Sequence, residues 1–128
     1  VKSMYSWKVV VDRISEGDLK DLYIIDASNP DERITMKLEL ARIVLDNLKV
    51  RIEENSGLCV EISKEEKEDY KEVYDLYMVG KLLKEITEVG VWKYIFTIGG
   101  LRFIVSTPTK LELLSEMDKV YIGIRVSR

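Results

Sequence analysis

The fold of this chain is decided by one stretch of its sequence, Val91-Trp92-Lys93-Tyr94-Ile95-Phe96-Thr97-Ile98-Gly99-Gly100-Leu101-Arg102-Phe103-Ile104-Val105-Ser106. Two apolar runs flank a Gly-Gly pair. A two-residue Gly-Gly connection is typical of a β-hairpin, because both turn residues must adopt positive φ angles. We therefore expect strands over residues 91–98 and 101–106, joined by a tight turn at Gly99 and Gly100.

Strand patterns continue on both sides of this hairpin. Apolar and polar residues alternate strictly from Ile34 to Leu40, which predicts a strand with one buried and one solvated face. Residues 64–72 carry many charges of both signs and are interpreted as a solvated connection. Further expected features are strands over residues 5–14, 19–26, 48–52, 58–62, 73–86 and 119–125, a hairpin turn at Asn55-Ser56-Gly57, a helical turn or bend at 41–45, and a bulge, bend or close backbone neighbour at Gly80.

These patterns amount to eight or nine short strands, with no convincing long helix and no internal repeat. Turn signals recur about every ten residues, which favours an all-β sandwich or a closed barrel. A barrel has the advantage that it leaves no open edge through which Ile- and Val-rich strands can aggregate. A length of 128 residues suits one domain spanning residues 1–128.

Composition narrows the function further. The chain has one cysteine and no histidine, so an internal disulfide, the usual zinc and copper sites and histidine-assisted nucleophilic catalysis are not expected. We predict no enzyme activity for the isolated chain, and no catalytic, cofactor or metal site. Cys59 lies among apolar residues and is expected to be a small buried hydrophobe. A reducing, cytoplasmic location and no membrane partner are expected, since neither an apolar span nor a signal-peptide pattern is visible.

The aromatic residues of the central hairpin leave two interpretations open. A small barrel that displays rings beside basic side chains can stack unpaired bases. Lys93, Tyr94, Phe96, Arg102 and Phe103 have that pattern, and would form the groove of a single-stranded nucleic-acid-binding protein. However, rings that share one strand face belong more often to a core, and a net charge of −3 argues against a protein that mainly grips phosphates.

Three motifs in order resemble one known family. They are Tyr74-Asp75-Leu76-Tyr77-Met78-Val79-Gly80, the hairpin segment ending Ile98-Gly99-Gly100-Leu101, and the closing segment Asp118-Lys119-Val120-Tyr121-Ile122-Gly123-Ile124-Arg125. This arrangement is similar to the eighth small subunit shared by the eukaryotic nuclear RNA polymerases and to its counterpart in archaeal DNA-directed RNA polymerase, the G subunit. The connection before the tyrosine segment is short, as in the archaeal form, whereas eukaryotic members carry a long insertion there.

The resemblance implies an OB-fold-like closed barrel of about eight antiparallel strands. It also implies a non-catalytic subunit of DNA-directed RNA polymerase, docked on the largest subunit, that supports assembly in transcription. We expect Gly99, Gly100 and Leu101 to contact the partner, because backbone without side chains can be approached closely. The alternative is a free-standing single-stranded nucleic-acid binder. A small-ligand barrel is disfavoured, because short strands leave an interior filled by side chains.

Overall fold

The part of the chain that the structure describes contains eight β-strands and two short helices, joined by turns and loops. The structure is a computed structural model, and it describes residues 3–127. The elements in chain order are β1 (Met4–Glu16), β2 (Leu22–Asn29), β3 (Ile34–Ala41), α1 (Arg42–Asp46), β4 (Gly57–Ser63), α2 (Tyr70–Val73), β5 (Leu76–Glu88), β6 (Val91–Ile98), β7 (Leu101–Thr107) and β8 (Lys119–Val126).

The strands form a closed antiparallel barrel in the order β1-β2-β3-β7-β6-β5-β8-β4, and β4 pairs with β1 to complete the ring. This confirms the predicted all-β closed barrel. Strands β1 and β5 are the two long strands, with 13 residues each, and β1 is longer than expected. Each contains a register shift, between Val11 and Arg13 in β1 and between Leu82 and Lys84 in β5. An extra residue bends a strand, so both long strands can curve around the barrel wall.

Side chains fill the interior. The alternating residues of β3 behave as predicted, since Ile34, Met36, Leu38 and Leu40 are all buried while Lys37 is exposed. The largest fully buried side chains come from both ends of the chain, and they meet because strand closure brings distant segments together. They are Tyr94, Phe96, Phe103, Ile25, Ile62, Leu82, Ile122, Ile124, Val11, Val60, Val105 and Val120.

The strand predicted at residues 48–52 and its hairpin with residues 58–62 are wrong. Residues 47–56 form a loop, in which Asn55 has the expected positive φ of 70°. The Asn55 N–H donates to the Val11 carbonyl, and the Val11 N–H donates to the Ser56 carbonyl, so the loop binds the bulged part of β1. The reason is topological. Strand β4 is already paired with β1 on one side and β8 on the other, so no edge remains for a hairpin partner.

Other boundaries also differ from the sequence prediction. Strand β2 begins at Leu22 rather than residue 19, because a turn with positive φ at Asp21 precedes it and leaves Leu19 exposed. The helical turn predicted at 41–45 is confirmed as α1. The connection at 64–72 includes the start of α2. The strand predicted at 73–86 is β5, which begins three residues later and ends two residues later than predicted.

Cys59 is not part of the core, contrary to expectation. Its neighbours Leu58 and Val60 point into the barrel, and the two-residue period of a strand therefore turns Cys59 outward. There its Sγ lies 3.3 Å from a guanidinium nitrogen of Arg125, its partner in the β4–β8 register. By contrast, Gly80 confirms the expected close backbone neighbour, since a Cβ there would lie 2.7 Å from the Thr97 carbonyl oxygen.

Candidate interaction surface

The Gly-Gly turn presents bare backbone to solvent. Gly99 and Gly100 have φ angles of 56° and 89°, a conformation that side chains disfavour, and both are exposed. A Cβ at either position would find no atom of the chain within 4 Å. The glycines are therefore required by the turn geometry and not by internal crowding. Leu101, paired with Ile98, is half-buried beside them.

A carboxylate on β3 holds this turn in place. The Arg102 backbone N–H donates to Glu39 Oε1 at 2.7 Å, and the Arg102 guanidinium donates to Glu39 Oε2 at 3.1 Å. Glu39 is buried, with 9% exposure, and the hydrogen bond from the Arg102 side chain holds the pKa of its carboxyl below the ordinary value. The predicted contact residue Arg102 is therefore exposed but already engaged by a carboxylate.

The five residues proposed as a nucleic-acid groove do not lie on one surface. Tyr94 and Phe96 are fully buried and Phe103 is 1% exposed, with the two phenylalanine rings 5.8 Å apart inside the barrel. Only Lys93 and Arg102 face outward. Strand alternation is the reason, since residues 93 and 94 must point to opposite sides of β6. The expectation that Tyr94, Phe96 and Phe103 contact bases is therefore wrong for this fold.

Tyr94 has a structural role instead. The Leu111 backbone N–H donates to its hydroxyl oxygen at 2.8 Å, which ties the loop between β7 and β8 to the barrel end. Tyr5 accepts from the Leu113 N–H in the same way, also at 2.8 Å. Burial raises the pKa of Tyr94 to about 12. The two hydroxyls satisfy backbone groups of a loop that would otherwise close the barrel with unpaired donors.

A cluster of four tyrosines covers the outside of β5 and β8, and the sequence patterns did not predict it. We call it the tyrosine cluster. Tyr77 lies at its centre, with ring centroids 4.7 Å from Tyr70, 5.4 Å from Tyr74 and 6.0 Å from Tyr121. The Tyr77 hydroxyl oxygen accepts a hydrogen bond from the Lys67 N–H, so the cluster fastens the connection at 64–75 to the barrel wall.

Tyr74 anchors this cluster to β4. Its hydroxyl donates to Glu61 Oε1 at 2.6 Å, and Glu61 also faces the Arg125 guanidinium at 3.8 Å. Burial raises the pKa of Tyr74 well above the ordinary value for tyrosine, and the hydrogen bond to the negatively charged Glu61 raises it further. The ring lies over Gly123, where an added Cβ would come within 2.5 Å of it. The missing side chain at Gly123 therefore makes room for Tyr74.

The described residues were also compared with what a metal site, an unpaired buried polar group or a membrane-spanning helix requires. Among residues 3–127, no group of three or more Cys, Asp or Glu side chains is placed to hold a metal ion. Within the same residues, every buried side-chain nitrogen and oxygen has a hydrogen-bond partner. The part of the chain described contains no helix long and apolar enough to cross a membrane.

One of the comparisons with known proteins, the match to a family model, agrees with the resemblance seen in the sequence. A family described as the G subunit of DNA-directed RNA polymerase, RpbG, matches residues 4–127. A search of curated proteins finds no match. Among solved structures, the chain is similar to the cytoplasmic molybdate-binding protein ModG with molybdate bound, at 12% identity and a TM-score of 0.37, over 98% of this chain and 92% of that one. A similarity of this degree says nothing about what the present chain binds.

The family match is the decisive observation, because it spans both the tyrosine segment and the Gly-Gly hairpin. Both features have a structural purpose in the barrel: one fastens a connecting segment to the wall and the other joins two adjacent strands. The chain belongs to the RpbG family, the G subunits of DNA-directed RNA polymerase, and is thus a small subunit of that enzyme.

Proposed function

We propose that this chain is a non-catalytic subunit that docks on the largest subunit of RNA polymerase and supports assembly of the enzyme. Membership of the RpbG family carries the proposal. The barrel adds support, because its interior is filled and its conspicuous features, the bare turn at Gly99 and the tyrosine cluster, are on the outside. We further propose that residues 1–128 act as one domain, in the cytoplasm, and that the chain has the archaeal form of the subunit.

We propose that the turn at Gly99, Gly100 and Leu101 is part of the docking contact. The turn is exposed and has open space around it, so a partner backbone can approach without displacing side chains of this chain. The two hydrogen bonds from Arg102 to the Glu39 carboxylate, which we call the brace, fix the turn relative to β3. A rigid turn loses little conformational entropy on binding, which favours affinity.

Recovery of polymerase from native cell extract tests this proposal. Tagged wild-type chain is expected to recover polymerase subunits, with the largest subunit among them, as identified by mass spectrometry. Gly99→Asn adds a side chain to the turn and keeps its geometry, because asparagine tolerates positive φ. We expect this variant to recover several-fold less polymerase.

Gly90→Asn is the matched control. Gly90 also has a positive φ, 73°, and open space around it, but it lies in the turn between β5 and β6, at the opposite end of β6. We expect Gly90→Asn to recover as much polymerase as wild type. Equal recovery by both variants would remove the turn from the contact, and recovery of no polymerase subunit by the wild-type chain would reject the proposed function.

The structure does not support the alternative that the chain is a free-standing protein that binds single-stranded nucleic acid. The rings that would have stacked on bases, Tyr94, Phe96 and Phe103, fill the barrel interior. The chain also carries a net negative charge.

A further inference from the structure

One wall of the barrel has a charge opposite to that of the whole chain. Outward positions can be assigned from the strand registers, since residues directly paired across strands share a face. The wall made by β3, β7, β6, β5 and the start of β8 collects the basic residues, and we call it the lysine face. Its charged residues are Lys37, Lys81, Lys84, Lys93, Arg102, Lys119, Glu39 and Glu88.

Six basic side chains against two acidic side chains give this face a net charge of +4, whereas the whole chain has −3. Among the described residues, the one ion pair within the face is that of Arg102 with Glu39. Asp26 is paired with Lys37 in the strand register, but its carboxylate binds Arg13 at 3.3 Å. Among the described residues, none of the five lysines of the face has a carboxylate oxygen within 4.0 Å, although Lys37 attracts Glu39 at longer range and Lys119 lies over the Tyr121 ring at 5.5 Å.

Two of these lysines stand against each other. Lys81 of β5 and Lys119 of β8 are direct partners in the antiparallel register, and both are exposed. Like charges at directly opposed positions of a sheet destabilise it. The Lys119 ammonium group lies over the Tyr121 ring at 5.5 Å, which offsets part of this repulsion, and a negatively charged partner would relieve the rest.

The centre of the lysine face is aliphatic. Ile95 of β6 and Ile104 of β7 are direct partners on the outside of the barrel, and each is half-buried. Ile86 and Leu83 of β5 extend the apolar area, and Leu83 is 43% exposed. No aromatic side chain is outward on β3, β7 or β6 within the described residues, so this aliphatic centre offers no ring on which a base could stack. The outward rings of the face lie at its edge, where Tyr77 of β5 and Tyr121 of β8 stack on each other.

We propose that the lysine face binds an acidic protein segment that carries aliphatic side chains at its centre. Charge complementarity and the apolar centre identify the occupant, and the absence of outward rings from β3, β7 and β6, the strands at the middle of the face, favours protein over nucleic acid. Five strands about 4.8 Å apart span roughly 19 Å, which accommodates about six residues of extended chain. The assignment of this segment to the polymerase rests on the proposed function. The lysine face would extend the proposed docking contact, because Arg102 and Thr97 lie on the face and directly beside the Gly-Gly turn.

The first test uses the isolated chain and a defined probe. The probe is the fluorescent peptide acetyl-Asp-Glu-Asp-Ile-Leu-Asp-Glu-Asp-amide, and a peptide with lysines in place of the acids is the control. Backbone amide chemical shifts are expected to change on β3, β5, β6 and β7. Binding by K37E/K93E is expected to be about tenfold weaker, because each reversal replaces an attraction by a repulsion of similar size.

The matched variant K8E/K20E has the same change in net charge. Both of its lysines are exposed and lie outside the five strands of the lysine face, with Lys8 on β1, the strand opposite β6 in the ring, and Lys20 in the loop between β1 and β2. We expect it to bind the acidic peptide as wild type does. Thermal unfolding of both variants checks that each is folded.

Several results would overturn the proposal. One is that the amide chemical shifts change only on strands outside the lysine face, and another is that both double variants lose the same affinity for the acidic peptide. The others are that the lysine peptide binds as tightly as the acidic peptide, and that oligothymidylate binds the same face more tightly at matched salt. The last result would assign the face to nucleic acid.

Pull-down from native extract separates this inference from the proposed function. If wild-type chain recovers polymerase and K37E/K93E recovers equally well, the lysine face is not the docking surface, although the proposed function stands. If wild-type chain recovers no polymerase subunit, the proposed function fails. Localised binding of the acidic peptide would then still support the face as a site for an acidic segment.

Discussion

The contact between Gly123 and Tyr74 allows a quantitative test of the tyrosine cluster. In Gly123→Ala, the new Cβ would lie 2.5 Å from a ring carbon of Tyr74. The ring has little room to retreat, because it stacks on Tyr77 with centroids 5.4 Å apart and its hydroxyl donates to Glu61 at 2.6 Å. The methyl group and the ring must therefore compete for one volume.

The expected cost follows from three contributions. Overpacking costs about 1–3 kcal/mol, and loss of the hydrogen bond to the Glu61 carboxylate costs roughly 1.5–3 kcal/mol if the ring moves. Replacing a strand glycine by alanine returns about 0.5–1 kcal/mol. We therefore expect Gly123→Ala to lower the free energy of unfolding by about 2–5 kcal/mol, measured by urea denaturation followed by tryptophan fluorescence.

A double-mutant cycle identifies the cause. Once Tyr74→Ala has removed the ring, adding Gly123→Ala is expected to cost less than about 1 kcal/mol, so the two changes are strongly non-additive. Tyr74→Phe is the matched control, since it removes the hydroxyl and keeps the ring, and Gly123→Ala should remain costly in that background. A full cost of Gly123→Ala in the Tyr74→Ala background would refute the packing argument.

Three further predictions concern the turn, its brace and the core. Gly100→Val is expected to destabilise the fold by about 1–2 kcal/mol, because its φ of 89° disfavours a branched side chain; unfolding as stable as wild type would contradict this. Glu39→Gln should lower the free energy of unfolding at neutral pH, and this loss should become smaller as the pH falls below 4.5, the ordinary pKa of a glutamate carboxyl. The reason is that a carboxyl whose pKa is lowered in the folded state contributes stability that is lost when it is protonated. Urea titrations at several pH values measure this, and an effect independent of pH would exclude the charged brace. Phe96→Ala should cost about 3–5 kcal/mol, since the ring is fully buried against Phe103, whereas a cost under about 1 kcal/mol would show that the ring is not in the core.

Local patterns were sufficient to predict the central hairpin and the inward-facing residues of individual strands. The Gly-Gly pair fixed the turn between β6 and β7, and alternation in β3 identified which residues face inward, because both signals depend only on neighbouring positions. Cys59 could also have been placed correctly from the same alternation, since Leu58 and Val60 flank it. The apolar character of the surrounding sequence was the misleading signal there.

The rest depended on which strands become neighbours. The alternation of Leu48, Val50 and Ile52 resembled a strand, but closure of the barrel left it no edge to pair with. The tyrosine cluster joins Tyr77 of β5 to Tyr121 of β8, a pair that is distant in sequence and becomes adjacent only through the β5–β8 register. The lysine face was invisible for the same reason, since its residues come from five strands.

Strand β4 also sets an order of events during synthesis. It pairs with β1, which precedes it, and with β8, where Cys59 faces Arg125 across 66 positions of sequence. At roughly 5–20 residues per second, a ribosome takes about 3–13 s to cover that interval. Throughout it, one side of β4, which carries Leu58, Val60 and Ile62, has no partner. The nascent chain therefore has a delay during which aggregation competes with closure, and a chaperone that shields this edge would raise the yield of closed barrel.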